Sequence, residues 1–200
     1  LLRMPEGATA TNEAIAAGFV PALQERLWRT DQLQGDAFRT NTLEVRKASN
    51  SDWFGRFQLY NRTLPVDARR AIAITIDEWR STREEHWLDR HPRDYVALDG
   101  GQIVGALRAG NCQAGIQFEL LVAPGATKAA APLLAAGAQH HESTEPVFAL
   151  APCGATAVEQ ALADARFEAG QKYLLLSCHL EHPAAETAPS GARIALPSGG

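Results

Sequence analysis

The stretch from Gly115 to His141 constrains the fold of this 200-residue chain more than any other segment. Its sequence is GIQFELLVAPGATKAAAPLLAAGAQHH. The apolar run from Ile116 to Val122 predicts a buried strand, the Pro-Gly pair at 124–125 predicts a turn, and the alanine-rich remainder predicts a helix that begins near Thr127. A helix that directly follows a strand presents its unpaired N–H groups beyond the carboxyl end of that strand. The stretch therefore predicts an anion-binding site at the start of the helix.

The composition narrows the class of protein. A hydrophobic content of 46% suits one globular domain. A net charge of −4 argues against a nucleic-acid partner, because such proteins usually carry a basic face. Cys112, Cys153 and Cys178 lack the paired spacing of zinc ligands, and they predict reduced thiols in a cytoplasmic protein. No apolar run approaches the roughly 20 residues that span a bilayer, and the N-terminus lacks the layout of a signal peptide, so no membrane partner is predicted.

The segments on either side predict three parts along the chain. Residues 1–42 are interpreted as an N-terminal helical extension and linker, because apolar residues recur at roughly helical spacing, with Pro21 as a kink. These apolar residues are Ile15, Phe19, Val20, Leu23 and Leu27. Residues 43–180 form the predicted domain. Residues 181–200 are rich in Pro, Ala, Ser and Gly, and they predict a flexible tail.

The predicted domain alternates strands and helices in a definite order. A strand near Leu43 precedes two helical stretches, 53–64 and 66–90, whose aromatic residues we interpret as packing residues. In the first stretch these are Trp53, Phe54, Phe57 and Tyr60. The turn Asp99-Gly100-Gly101 predicts a hairpin, and the strand of the central stretch follows it. After the central helix come a strand at 146–151, a helix at 156–167 and a closing strand at 173–180. This order predicts an α+β fold.

Four local features resemble the GNAT superfamily of acyl-CoA-dependent N-acyltransferases over residues 43–180. DYVALDGGQIVGALRAG resembles the central hairpin of the family, and FELLVAPG resembles its strand that ends in a V-x-P turn. The alanine-rich segment with Leu133 and Leu134 is similar to the cofactor helix of the family. The segment ALADARFEAGQKYLLLSCHL is similar to its last helix and closing strand. The resemblance implies α/β/α layers, with helices on both faces of a mixed, mostly antiparallel sheet.

The resemblance also implies a cosubstrate and its site. Acetyl-CoA or another acyl-CoA would lie in a splay between the central strand and the strand at 147–150, and the acceptor would be an amine that the sequence does not identify. No metal is implied. Binding by backbone groups is expected at eight positions: Leu120, Leu121, Val122, Gly125, Ala126, Thr127, Lys128 and Ala129.

The sequence departs from the family pattern at two places. The glycine-rich phosphate loop of the family is replaced by the run from Ala126 to Pro132, so we expect a rearranged or shortened loop. Lys128 would pair with a phosphate or remain a hydrated surface cation. The family often places a tyrosine acid five residues before the phenylalanine of a Gly-Phe pair. With Phe167 as that phenylalanine, Leu162 stands at the tyrosine position and Arg166 at the glycine position.

Glu119 is the candidate catalytic residue. It interrupts an apolar strand, where many family members carry an acidic residue that faces the acceptor amine. A carboxylate there could take a proton from the attacking amine, directly or through water. The alternative is a structural glutamate that is held by neighbouring backbone groups.

The other reactive side chains have ordinary structural interpretations. Cys153 lies between a strand and a helix without a histidine nearby in sequence, so we interpret it as a structural thiol rather than a nucleophile. His140, His141 and Glu142 are adjacent and point in different directions on a helix, and His86 and His91 miss the i, i+4 spacing of zinc ligands. We predict no metal site.

Three functional hypotheses remain open at the level of sequence. The first is an N-acyltransferase in which an amine attacks the thioester directly. The second is a catalytically inactive module with the same fold, which binds a CoA-type ligand or a protein partner; the missing tyrosine and glycines favour it. The third is an unrelated α+β fold, which requires that the strands before Pro124 and after Pro146 are not parallel neighbours. The oligomeric state is not predicted.

Overall fold

The computed structural model describes residues 1–31, 33, 43–84, 92–112, 114–139 and 145–178. The strands within these residues are β1 Leu2–Pro5, β2 Val20–Thr30, β3 Glu44–Lys47, β4 Arg93–Asp99, β5 Gln102–Cys112, β6 Gly115–Val122, β7 Val147–Pro152 and β8 Glu168–Ser177. The helices are α1 Thr9–Ala16, α2 Trp53–Thr63, α3 Val66–Ile72, α4 Ile76–Glu84, α5 Ala130–Ala138 and α6 Thr156–Asp164. None of the helices among the described residues is long and apolar enough to cross a membrane. Several predicted features lie outside these residues, namely most of the linker, the tail, His86, His91, His140, His141 and Glu142.

All eight of these strands form one sheet in the order β1-β8-β2-β7-β6-β5-β4-β3. Every neighbouring pair is antiparallel except β6 and β7, which are parallel. Helices α5 and α6 pack in the larger core on one face of the sheet, and α2 and α3 contribute to the cores on the other face. The predicted mixed, mostly antiparallel sheet with helices on both faces is confirmed. The parallel pairing of β6 and β7 removes the main reason for considering an unrelated fold.

The N-terminal segment differs from the predicted helical extension. Among the residues before 43 that the structure describes, only Thr9–Ala16 is α-helical. Val20–Thr30 forms the long strand β2, which lies between β7 and β8 and pairs with both. The helical prediction is therefore wrong for β2. The strands β1 and β2 belong to the same sheet as the elements after residue 42.

The sequence contains the signals that separate α1 from β2. Gly18 has a φ of +94°, and the amide of Phe19 donates to the carbonyl of Ala14, so the glycine ends the helix in a left-handed cap. Pro21 lies beside a register shift between Pro21 and Leu23, and such an irregularity is a position where a strand tolerates proline. The spacing of Leu23 and Leu27 also fits a strand, because both are separated from Glu25 by one residue. Packing on both faces of the sheet decides between the two interpretations.

Helix α2 buries a different face from the one that its aromatic residues suggest. Leu59 is fully buried, and a Cβ on Gly55 would lie 2.9 Å from Cδ1 of Ile103, so the line from Gly55 to Leu59 faces the sheet. Trp53 and Phe54 remain 39% and 50% exposed. Their predicted role in packing is wrong for these two residues, because a small residue allows the helix a closer approach than an aromatic one.

Asp52 fixes the 3₁₀ turn Asn50–Asp52 that leads into α2, where it forms a capping box with Ser49. Arg46 donates two hydrogen bonds to its carboxylate, at 2.7 and 2.9 Å, and Ser49 donates one from its backbone N–H at 2.6 Å. These contacts, above all those from Arg46, hold the pKa of Asp52 well below its usual range. Since the pKa is lower in the folded chain than in the unfolded chain, the carboxylate stabilises the fold above about pH 4.

Substituting Asp52→Ala is expected to lower the free energy of unfolding by about 1–2 kcal/mol at pH 7, because it removes the capping box and leaves Arg46 without its carboxylate. The difference from wild type should shrink as the pH falls from about 4 towards the lower pKa of the folded chain, because the carboxylate of the unfolded chain becomes protonated first. Urea unfolding at several pH values measures this. Asp31→Ala is the matched control, because Asp31 also pairs with an arginine but is 71% exposed, and it should change the stability little. An equal decrease in the free energy of unfolding in Asp52→Ala and Asp31→Ala would contradict the stabilising role of Asp52.

Candidate functional site

The central feature of the site is the point where β6 and β7 separate. Their ladder begins at Ile116 opposite Val147 and ends at Glu119 opposite Leu150. Beyond this point β6 continues to Val122 with hydrogen bonds to β5, and β7 continues with hydrogen bonds to β2. The facing edges of the two strands therefore diverge, as expected for the splay.

A cavity of about 260 Å³ opens at this separation, on the face of the sheet that α2 covers. Leu150 and Pro152 of β7 and Leu121 of β6 are among its apolar walls. Helix α2 and the residue that follows it contribute Tyr60, Thr63 and Leu64. Strands β1, β2 and β8, with the residue before β1, close the remaining side with Leu1, Arg3, Leu23, Glu25 and Leu175. The cavity has the size of a small-molecule site, with a few charged groups among apolar side chains.

Three charged side chains line this cavity. Glu119 is half-buried where the β6–β7 ladder ends, which places the predicted catalytic carboxylate in the cavity. Glu25 is 8% exposed and accepts hydrogen bonds from Nε and Nη2 of Arg3, at 2.7 and 3.4 Å. Arg108 lies opposite Glu119 in the β5–β6 ladder and is 7% exposed. Each of the two glutamates, Glu25 and Glu119, therefore has an arginine as a neighbour.

The predicted anion seat lies beyond the end of β6. Gly125 has a φ of +84°, a 3₁₀ turn spans Thr127–Ala129, and α5 follows at once. Among the residues that the structure describes, Ala126 to Ala131 all have negative φ values, so none of these positions needs a glycine. The alanines of this loop therefore carry no left-handed backbone strain. Thr127 and Lys128 are exposed at the start of the turn.

Two glycines hold α5 close to the sheet. A Cβ on Gly105 would lie 2.7 Å from Cδ1 of Leu133 and 3.1 Å from Cβ of Ala129. A Cβ on Gly137 would lie 2.7 Å from Cδ2 of Leu107. Because both contacts are closer than side chains normally allow, the glycines set the position of the helix. The start of α5 is thereby fixed beside the open edge of β6.

Comparison with solved structures identifies this architecture. A GCN5-related N-acetyltransferase from Sphaerobacter thermophilus matches with a TM-score of 0.56 at 15% identity, over 87% of this chain and 57% of that one. Another from Anabaena variabilis matches with a TM-score of 0.53 at 11% identity, over 86% of this chain and 44% of that one. A conserved protein of unknown function from Staphylococcus epidermidis matches with a TM-score of 0.57 at 14% identity, over 90% of this chain and 71% of that one.

The chain has the GNAT fold. The predicted fold is thus confirmed, and at these identities the likeness concerns the fold alone. No protein-family model matches the sequence, and no curated protein matches it either. The chain spans about half the length of the two acetyltransferases.

The end of α6 departs from the GNAT sequence pattern in two ways. Leu162, at the position of the expected tyrosine, is fully buried and packs in the larger core, so it leaves no acid there. Arg166, at the position of the expected glycine, has a φ of +62°. The amides of Arg166 and Phe167 donate to the carbonyls of Ala163 and Leu162, which is a Schellman cap. The backbone keeps the conformation that favours glycine although the residue has changed.

Cys153 and the metal-ligating side chains are the remaining candidates for chemistry at the described site. Cys153 lies directly after β7, is partly buried, and has a pKa that burial raises, which disfavours a reactive thiolate. The interpretation as a structural thiol agrees with this environment. Within the described residues, no group of three or more metal-ligating side chains lies together.

Sequence reasoning missed the charged pair in the cavity. Arg3 and Glu25 lie in the segment that was interpreted as a helical extension, so they were not considered as site residues. The alternation of Leu23, Glu25 and Leu27 is the signal that indicates a strand with an inward-facing carboxylate. Tyr60 and Thr63 were assigned to a helix but not to the site, since their proximity to Glu119 depends on tertiary packing.

Substituting Arg166→Gly is expected to raise the free energy of unfolding by about 0.5–1 kcal/mol. Relief of the left-handed conformation stabilises the folded chain, and the greater freedom of glycine in the unfolded chain offsets part of this gain. Thermal and urea unfolding measure the change. The control Arg166→Ala keeps a Cβ and should give no comparable gain. A glycine variant that is less stable than wild type would show that the arginine side chain outweighs the strain.

Proposed function

We propose that this chain is an acyl-CoA-dependent N-acyltransferase that transfers an acyl group, in the first instance acetyl, to a small amine in the cytoplasm. The observation that carries the proposal is the separation of β6 and β7, which connects an open strand edge at Leu120–Val122 with a cavity that contains Glu119. The GNAT fold adds to it, because the solved structures with this fold include N-acetyltransferases. Cys153 and Cys178, the two cysteines whose side chains the structure describes, are free thiols, which is typical of a reducing compartment.

The described residues fit a CoA-type cosubstrate. The edge of Leu120–Val122 that β7 leaves uncovered can pair with an extended amide chain, as a missing strand would. Gly125 and the start of the 3₁₀ turn at Thr127–Ala129 present backbone N–H groups and the exposed cation of Lys128 toward a pyrophosphate. Together with Ala126 these are the eight predicted binding positions, and their role in binding stays a proposal. The amides of Ala126 and Ala129 donate to the carbonyls of Ala123 and Ala126 within the loop.

In the proposed reaction, each step is assigned to a group of the cosubstrate or of the chain. Acyl-CoA supplies the acyl group as a thioester. The separated edge of β6 offers N–H groups that can polarise a carbonyl oxygen. Glu119 accepts the proton that the amine must lose, and the apolar walls of Leu150 and Leu121 hold the amine and limit its contact with water.

A second function, a catalytically inactive module that binds a CoA-type ligand or a protein, is favoured by one specific observation. Leu162 fills the tyrosine position with a fully buried apolar side chain, so the usual proton donor to the departing thiolate is missing there. Water or another group must supply this proton if the chain is an enzyme. Binding without turnover would support this second function.

Calorimetric titration with acetyl-CoA and with desulfo-CoA tests the cosubstrate site. Binding in the micromolar range is expected, and Lys128→Ala should weaken it by a factor of about 5, because an exposed cation near a phosphate contributes about 1 kcal/mol. Lys47→Ala is the matched control, since Lys47 is an exposed lysine on β3 at the far edge of the sheet. The absence of binding at millimolar ligand would exclude both the enzyme and the CoA-binding module.

Substituting Glu119→Gln is expected to lower kcat for acyl transfer by about 10²-fold or more while acetyl-CoA still binds, because the amide cannot accept the proton. The measurement is thiol release from acetyl-CoA in the presence of an amine series. Glu44→Gln, which alters an exposed carboxylate on β3, should have no effect. An unchanged kcat in Glu119→Gln would remove this residue from the mechanism.

A further inference from the structure

A row of charged side chains crosses the sheet on the face that α2 covers and ends at the cavity. Asp94 lies opposite Arg108 in the β4–β5 ladder, and Arg108 lies opposite Glu119 in the β5–β6 ladder. Directly paired residues project from the same face of a sheet, with Cβ atoms about 4.5–5.5 Å apart. Arg56 of α2 extends the row, because its Nη2 atom lies 2.8 Å from Oδ1 of Asp94. These four residues, whose charges alternate in sign, form the charged row.

The charged row is largely shielded from water. Arg108 is 7% exposed, and the side chains of Arg56 and Asp94 are 15% and 26% exposed. Glu119 is half-buried, and neither Glu119 nor Arg108 is without an interaction partner. Because a buried charge needs a neighbour of opposite sign, the carboxylates on the two sides of Arg108 balance its guanidinium, and Arg56 balances Asp94. Glu119 is therefore the end of a charge network and not an isolated carboxylate.

The neighbouring row on the same face has an apolar interior. It begins at Arg46 of β3 and continues through Val96 and Ala106 to Leu121, and the last three pack in one apolar cluster. Desolvation offsets most of the attraction in a buried ion pair, so apolar side chains would give the charged row a similar stability. Stability alone does not account for these charges. Their end at Glu119 connects them to the site instead.

We propose that Arg108 is a positioning residue that holds the carboxylate of Glu119, and that Asp94 and Arg56 fix Arg108 in turn. Arg108 does not line the cavity, so it acts through Glu119 and not on a ligand. A glutamate has three rotatable side-chain bonds, and its carboxylate would adopt several orientations without such a partner. A displacement of about 1 Å in a reacting group can lower a rate about 10²-fold. The role in acyl transfer rests on the proposed function, whereas the contact between the two side chains does not.

The charged row also joins two walls of the cavity. Arg56 lies one turn before Tyr60 in α2, so both side chains project from the same side of the helix. Tyr60 lines the cavity together with Glu119. The contact between Arg56 and Asp94 therefore attaches the helix that covers the cavity to the strands that carry Glu119.

Arg108→Met in two backgrounds tests whether Arg108 acts through Glu119. In the otherwise wild-type chain it should lower kcat about tenfold or more and leave the KM for acetyl-CoA unchanged, because only the proton transfer is affected. In the Glu119→Gln chain it should change kcat by less than about twofold, because no carboxylate is left to hold. The measurement is thiol release from acetyl-CoA with the amine that the wild-type chain acylates fastest. Equal factors in the two backgrounds would overturn the proposal, since a purely structural role affects both chains alike.

Conservative and control variants refine this test. Arg108→Lys keeps the positive charge and should retain more of kcat than Arg108→Met does. Arg46→Met is the matched control, because Arg46 also pairs with an aspartate beside α2, but its row ends at Leu121. It should lower the stability and leave kcat unchanged. A loss of kcat in Arg46→Met as large as in Arg108→Met would contradict the proposal.

Urea unfolding separates this inference from the proposed function. The double variant of Arg108→Met and Glu119→Gln should shift the unfolding midpoint by less than the two single shifts added together, because either substitution alone breaks the same contact. Additive shifts would overturn the contact. If no amine is acylated, the acyltransferase proposal fails, and this cycle alone decides whether Arg108 holds Glu119. If Arg108→Met does not fold, Asp94→Asn replaces it in both measurements, and an undiminished effect of Asp94→Asn in the Glu119→Gln chain would likewise overturn the proposal.

Discussion

The end of the β6–β7 ladder is the constraint on which the rest of the site depends, because a backbone edge must find other partners wherever two strands separate. At Glu119 and Leu150 the two strands stop pairing, yet each keeps a partner on its other side, β5 for β6 and β2 for β7. The sheet therefore stays intact while a cleft opens within it. Backbone donors and acceptors that would be costly to bury unpaired are available there to a ligand.

The N-terminal strands make this arrangement possible. Strand β2 pairs along β7 and β8 at once, so it holds β7 in place where β6 no longer does. The same strand carries Glu25 into the cavity and, through the ion pair with Arg3, joins β1 to the site. Burial of an ion pair is a weak source of stability, since desolvation offsets most of the attraction. Both residues of the pair lie in the wall of the cavity.

Much of the fold follows from local sequence signals. The hairpin at Gly100 and Gly101, the strand before Pro124 and the helices that follow it were all predicted from turn residues and from the period of apolar residues. The position of Glu119 within an apolar strand also indicated a candidate functional residue. Each of these signals depends on residues that are neighbours in sequence. They can therefore be interpreted without the contacts between distant parts of the chain.

The sequence by itself determined most of the order of elements from residue 43 onward, the turn beyond β6 and the carboxylate at the end of the ladder. The single helix predicted at 66–90 is wrong, because α3 ends at its C-cap Ala73, which has a φ of +42°, and α4 begins at Ile76. Only the tertiary structure decided that Val20–Thr30 is a strand, that Leu59 rather than Trp53 faces the sheet, and that Arg3 and Glu25 line the cavity with Glu119. The physical reason is the same in each case. Local periodicity fits more than one element or face, and burial against residues that are far away in sequence selects among them.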